Sequence, residues 1–277
     1  LKTDFVKRFF FGTATTIEGV GLAEVAEETV RRHRDAFGDD VVLRTARRLS
    51  AALEGSVIVG CDLRWPSLAG VDFTGTTCLG TQSYGKNLLT RFDDGRTLHT
   101  HLRMDGSWRV TATRPTQSAA GLPPSGDPTS RARLASRDWT CIGYHLGIMT
   151  VVRTRDEAFV IGHLGPDLLA PTFSGADEEA IRDSVAQRSS WDIGAVLLDQ
   201  SVAAGIGTIY LAETLFRHRI SPWRAAHSVP DPVQLYRTAR DLMQRSADAS
   251  VRPGTRGSVQ IVAHSRAGKP CVRCGTP

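Results

Sequence analysis

This chain is poor in cysteine, has no long apolar run and shows no internal repeat, and each shortage removes a class of protein. Its five cysteines, Cys61, Cys78, Cys141, Cys271 and Cys274, are odd in number and mostly isolated. That pattern makes no disulfide framework and suits a reducing compartment. No stretch reaches about 18 uninterrupted apolar residues, so no membrane span is expected. The opening "LKTDFVKRFFFGTATTIEGVGLAEVAEETV" has a basic and aromatic patch but lacks the apolar core and cleavage site of a secretory signal. The first residue is Leu1 rather than methionine, so the natural start is expected elsewhere. Without a repeat period, solenoids and propellers are not indicated.

What is present is ordinary in bulk. The 277 residues are 41% hydrophobic and 23% charged, enough for one large or two smaller packed domains. A net charge of +5, from 34 basic and 29 acidic side chains, tilts weakly toward polyanionic partners.

The patterning changes along the chain. Residues 1–34 read as an extension of uncertain structure. "VVLRTARRLSAAL" has helical spacing, with Arg44, Arg47 and Arg48 opposite its apolar face. From Val57 to about Val160 short β-rich runs alternate with turns, and "DDG" between two alternating segments predicts a hairpin. "RPTQSAAGLPPSGDPTSRAR" reads as a mobile loop. After "LGPDLLAPTF" four segments turn helical, the last opening on Asp-Pro.

Three stretches carry candidate chemistry. In "LLDQSVAAGIGTIYLAETLF" two helical segments flank glycines, and the second helix start offers unsatisfied amides to an anion such as a phosphate; a plain tight corner fits the spacing as well. In "SYGKNLLTRFDDGRTLHTHLRMDGSW", Lys86 can donate a proton or pair with phosphate, and Met104 beside Arg103 can wedge between bases. A solvated lysine and a core methionine are the plainer readings. His99 and His101 share a face, without a third metal ligand. The tail "HSRAGKPCVRCGTP" sets Arg266, Lys269 and Arg273 around a C-x₂-C pair, half of a tetrahedral zinc site.

Taken in order, "YGKNLLTRFDDG", "LHTHLRMDGSW", "GHLGPDLLAP", "LLDQ", "AGIGTIYLAETLF" and "RAGKPCVRCGT" resemble the formamidopyrimidine-DNA glycosylase and endonuclease VIII family, nearer its endonuclease VIII branch, from about Phe37 to Pro277. The resemblance implies an α+β fold. Its parts would be an N-terminal β-sandwich with a flanking helix (residues 35–172), a helix–two-turns–helix domain (173–256) and a truncated zinc finger (257–277).

It also implies base-excision repair: removal of oxidised bases and cleavage of the abasic site by β-elimination, on double-stranded DNA with the damaged nucleotide flipped out. Lys86 matches the proton donor. Arg103 and Met104 match the loop that fills the vacated stack, and Gly205, Gly207 and Thr208 the phosphate-binding turn. Arg266 falls in the DNA-contacting tail. Cys271 and Cys274 match the first half of a four-cysteine zinc site, so zinc is the implied cofactor and its site is expected to be incomplete. A monomer acting in the cytoplasm on the nucleoid, with no membrane partner, completes the expectation.

Three departures qualify it, one being the missing second half of the zinc finger. The family draws its nucleophilic amine from an N-terminal proline followed by a glutamate, where an ungapped alignment places Phe37 and Gly38; Asp39 or Asp40 would be the stand-in acid. Thr208 stands where the family has asparagine. Impaired catalysis is therefore expected, with a damaged-DNA binder or an unfolded remnant as alternatives.

Overall fold

The computed structural model describes residues 39–113, 126–249 and 261–276. Its first element, α1 (Asp39–Leu53), turns Val42, Ala46, Leu49 and Leu53 inward and leaves Arg47 and Arg48 exposed, as the 3.6-residue period requires. Eight strands follow: β1 (Gly60–Leu63), β2 (Cys78–Tyr84), β3 (Asn87–Phe92), β4 (Arg96–His101), β5 (Ser107–Ala112), β6 (Ser130–Ala135), β7 (Trp139–Tyr144) and β8 (Ile148–Arg153). They form two antiparallel sheets, ordered β1-β6-β7-β5 and β2-β3-β4-β8. Leu88, Phe92, Leu98, Trp108, Leu134 and Met149 fill the core they share with α1. The expected "DDG" hairpin joins β3 to β4, with Gly95 at φ 78°.

One expectation needs correction. The Pro/Gly/Ser-rich stretch does not run on as a loop to Arg133: Ser130 begins β6, which pairs with both β1 and β7. Cross-strand pairing on two sides outweighs composition here. Residues 114–125 of that stretch lie outside the described residues.

In the second sheet β3 is buried on both faces, not one. The outer face of this sheet, with Asn87, Leu89 and Arg91 of β3 and Thr97 and His99 of β4, is crossed by the connector that leads to the helical half. Glu157 accepts two bonds from Arg91, both 2.7 Å, and one of 2.7 Å from Thr97, while Tyr84 Oη donates to the carbonyl of Gly165 at 3.1 Å. Burial works against a charge on Glu157, but these bonds hold its carboxyl below the usual carboxylate range. The connector includes the short helix α2 (Ala158–Ile161).

The helical half comprises α3 (Gly175–Gln187), α4 (Ile193–Leu198), α5 (Thr208–His218) and α6 (Val233–Ala249). Ser174 and Asp177 close a reciprocal capping box at the start of α3, and α6 begins directly after Pro232. Ile181, Val196, Leu197, Leu211, Tyr236 and Met243 centre a second core, which Leu168 and Leu169 of the connector join. Two packed cores do not favour the unfolded-remnant alternative. No helix among the described residues is long and apolar enough to cross a membrane. All five cysteines are free, and burial pushes the thiols of Cys61 and Cys78 up to about 11.

Candidate functional site

Strand register assembles the site. β2 and β3 are joined by a two-residue turn, Gly85-Lys86, with Tyr84 opposite Asn87. Gly85 has φ 52°, and a Cβ there would lie 2.8 Å from Ala204 Cβ, so the hairpin tip is lodged against the helical half. Lys86 is 7% exposed. It and Lys269 are the lysines among the described residues, and Lys86 sits where the two halves meet.

Asn87 also pairs with His101, so the β4–β5 loop leaves the sheet at the end where Lys86 sits. In that loop Arg103 is exposed and held at φ 51°. Its N–H donates to His101 Nδ1 at 3.0 Å, and its aliphatic stem lies over Gly147, where a Cβ would come within 2.2 Å of Arg103 Cγ. Met104 beside it is half-buried. The neighbouring β7–β8 turn is also strained, with His145 at φ 48°.

The third element is the turn before α5. Gly205 adopts φ 120°, and Gln200 braces the bend. Its Oε1 accepts from the Gly205 amide at 3.0 Å, and its Nε2 donates to the carbonyls of Leu198 and Ile206 at 3.0 Å each. Gly207 is the N-cap and brings no side chain to satisfy the first-turn amides. An uncapped helix start, carrying the positive end of the helix dipole, favours an anion. Thr208 opens the helix, 4% exposed.

Lys86, the Arg103–Met104 loop and the Gly205–Thr208 turn are thus brought together. Arg266 is not: its guanidinium donates to the carbonyl of Pro270 at 3.1 Å, inside its own loop.

Of the stand-in acids, Asp40 is already engaged. Its carboxylate is buried and accepts from Ser246 Oγ at 2.8 Å and Arg44 Nη2 at 3.2 Å, and it bonds Tyr210 of α5. Burial raises its pKa, and these partners pull it back only in part. The group ties α1 to α5 and α6. Phe37, Gly38 and the side chain of Asp39 lie outside the described residues.

The tail hangs from α5. Glu213, with no exposed surface, accepts backbone N–H bonds of 2.8–3.1 Å from Val262, Ala263 and His264. Arg273 donates to the carbonyl of Phe216 at 2.9 Å and covers that ring, its guanidinium carbon 4.2 Å from the centroid. Beyond this anchor the Cys271–Cys274 segment makes a tight turn. The amide of Gly275 donates to the carbonyl of Cys271 at 2.9 Å, and that of Arg273 to Cys271 Sγ at 3.5 Å. Bonds with Thr276, and then with Cys271, lower the pKa of the Cys274 thiol. An amide aimed at one sulfur and an acidified second thiol fit half of a tetrahedral thiolate site. No group of three or more His, Cys, Asp or Glu side chains that could hold a metal occurs among the described residues. His99 and His101 form no metal pair, since His99 Nε2 is bonded to Asn87 Oδ1 at 2.8 Å.

Asn87, Gln200 and Glu213 were not singled out by the sequence. Gln200 lies in the quoted "LLDQ", but its acceptors become neighbours only once the turn folds.

With this geometry in view, the comparisons agree. A model described as the formamidopyrimidine-DNA glycosylase N-terminal domain matches residues 41–144, and one for the formamidopyrimidine-DNA glycosylase H2TH domain matches residues 164–252. The chain is 40% identical over 243 residues to a probable endonuclease 8 2 of Streptomyces coelicolor, covering 86% of this chain and 84% of the relative. It is 34% identical over 240 residues to the DNA-(apurinic or apyrimidinic site) lyase Nei2 of Mycolicibacterium smegmatis, with 86% and 90% covered. Among solved structures, Lactococcus lactis Fpg in complex with DNA containing N7-benzyl-Fapy-dG superposes with a TM-score of 0.69 at 22% identity, over 86% of this chain and 92% of that one. The Thermus thermophilus MutM (Fpg) protein gives 0.67 at 26% identity, over 87% and 91%.

These matches define a DNA glycosylase with abasic-site lyase chemistry, of the base-excision repair class. The chain belongs to the formamidopyrimidine-DNA glycosylase and endonuclease VIII family.

Proposed function

We propose that Lys86 is the proton donor for β-elimination at an abasic site, in a protein that first removes an oxidised base from duplex DNA. The observation that carries this reading is the wedging of the lysine hairpin against the glycine turn, 2.8 Å from a Cβ at Gly85 to Ala204. From the iminium formed at C1′, elimination removes the C2′ proton, forms the C2′–C3′ double bond and breaks the bond from C3′ to the phosphate oxygen, whose developing charge a proton donor neutralises as it leaves. An ammonium beside an open helix start supplies the proton while the first-turn amides of α5, with Gly205, Gly207 and Thr208, hold phosphate charge. Arg103 and Met104 enter the stack that the flipped nucleotide vacates.

Cys271 and Cys274 would hold zinc as two of its four ligands, and the metal would supply a structural crosslink to the tail. The protein works as a monomer on nucleoid DNA in the cytoplasm.

Lys86→Ala should slow strand scission at an abasic duplex by about 100-fold or more, the low end for a lost general acid, and leave duplex binding within a few-fold. Unchanged scission would overturn the assignment. Borohydride trapping on the same duplex, followed by peptide mapping, names the amine that attacks C1′, including any in residues 1–38.

A further inference from the structure

The turn that presents Lys86 is braced from below by a pair of polar side chains to which no role has been given so far. Asn87 and His99 lie diagonally across the β3–β4 pair on the outer face of the second sheet, where Leu89 is opposite His99 and His101 opposite Asn87. Both are buried, at 9% and 4% exposure. Asn87 Nδ2 donates to the carbonyl of Tyr84 at 3.1 Å, which fixes the amide so that Oδ1 faces His99 Nε2 at 2.8 Å. His99 therefore donates from Nε2, and its Nδ1 is a buried acceptor with no partner among the described residues. The chain of bonds runs from His99 through Asn87 to the last carbonyl before Gly85-Lys86. Asn87 also sits opposite His101, the acceptor for the Arg103 amide, so one face of the sheet supports both the lysine turn and the probing loop.

A lysine has a four-carbon stem and a rotatable ammonium, so the placement of Nζ depends on the backbone that carries it. A two-residue turn has little freedom of its own, and a side-chain bond to its first flanking carbonyl removes more. We propose that Asn87 and His99 are positioning residues for the elimination step, holding the Tyr84–Asn87 turn in the one conformation that aims Lys86 at the departing phosphate oxygen. This inference rests on the role proposed for Lys86. His99 is suited to it because burial, together with the neighbouring His101, pulls its pKa down to about 4, so that it stays a neutral Nε2–H donor near pH 7.

The test is single-turnover elimination on a duplex with a pre-formed abasic site, using the full chain. His99→Leu, which keeps bulk and loses the donor, should lower the rate constant on the order of tenfold, as a misaimed catalytic group does, with the half-saturating concentration within about twofold of wild type. His99→Gln, which keeps an N–H near the position of Nε2, should recover most of the rate. A wild-type rate in His99→Leu would overturn the proposal, and so would a Gln variant as slow as the Leu variant. If His99→Leu shows no cooperative melt, Asn87→Ala takes its place, with loss of rate expected and a wild-type rate overturning the proposal. Lys86→Ala is run alongside. Full activity there would sink the lysine assignment itself, whereas an inactive Lys86→Ala beside an unaffected His99→Leu would sink only the positioning role.

Discussion

The lysine hairpin and the probing loop leave the same end of the same sheet, yet they are built in opposite ways. At the hairpin the positive φ belongs to a glycine, the tip is buried against Ala204, and side chains brace the turn from two sides. At the loop the positive φ falls on an arginine, the residue is exposed, and a single bond to His101 holds its amide. Proton transfer needs a group fixed to within a fraction of an ångström. Filling a vacated base stack, the role proposed for the loop, needs one that projects and yields. The first kind of site invests in packing, and the second tolerates backbone strain in exchange for reach.

Reciprocal substitutions should expose this difference. Gly85→Ala forces a Cβ into left-handed backbone and onto Ala204, and should cost about 2–3 kcal/mol in urea melts along with most of the lyase rate. A neutral result would mean that the hairpin is as pliant as the loop.

The next effect depends on pH. His99 has a folded pKa of about 4, whereas the unfolded chain keeps a value near 6.5 and so binds more protons between the two. The stability it contributes is full above about pH 6.5 and is lost as pH falls toward 4, by at most about 3 kcal/mol. Asp40, whose pKa burial raises, has the opposite slope but is common to wild type and His99→Leu. Melts of the two proteins between pH 7 and 4.5 therefore isolate His99, and parallel curves would contradict its burial as a neutral donor.

The smallest effect should come from Arg103→Gly. Relief of left-handed strain, about 1 kcal/mol, is offset by the entropy of an added glycine, so stability should stay within about 0.5 kcal/mol of wild type. Base release from damaged duplex should fall while elimination at a pre-formed abasic site is largely kept. A large loss of stability would show that the loop is packed after all.

Much of this was legible from residue order. The period of "VVLRTARRLSAAL" gave α1, "DDG" gave the β3–β4 hairpin, and the spacing around "AGIG" gave α5 and its turn. Lys86, Arg103, Met104 and the glycine turn could be named as candidates because their motifs are local. What escaped was long-range. The Asn87–His99 bond depends on strand register, and the start of β6 was hidden by the composition of the loop before it. Glu213 looks like any helix glutamate until the N–H donors it accepts from, some fifty positions away in the chain, fold onto it. Asp40 read as a spare acid because sequence does not show that Ser246 and Tyr210 already hold it.

Glu213 has a mechanical consequence. The same eleven-residue helix that opens on the Gly205–Gly207 turn carries, at its sixth position, the carboxylate that holds the tail. Turn and tail are therefore two ends of one lever. Any tilt of α5 would swing the Cys271–Cys274 segment with it, so a load taken up at one end is felt at the other without having to cross the β-sandwich.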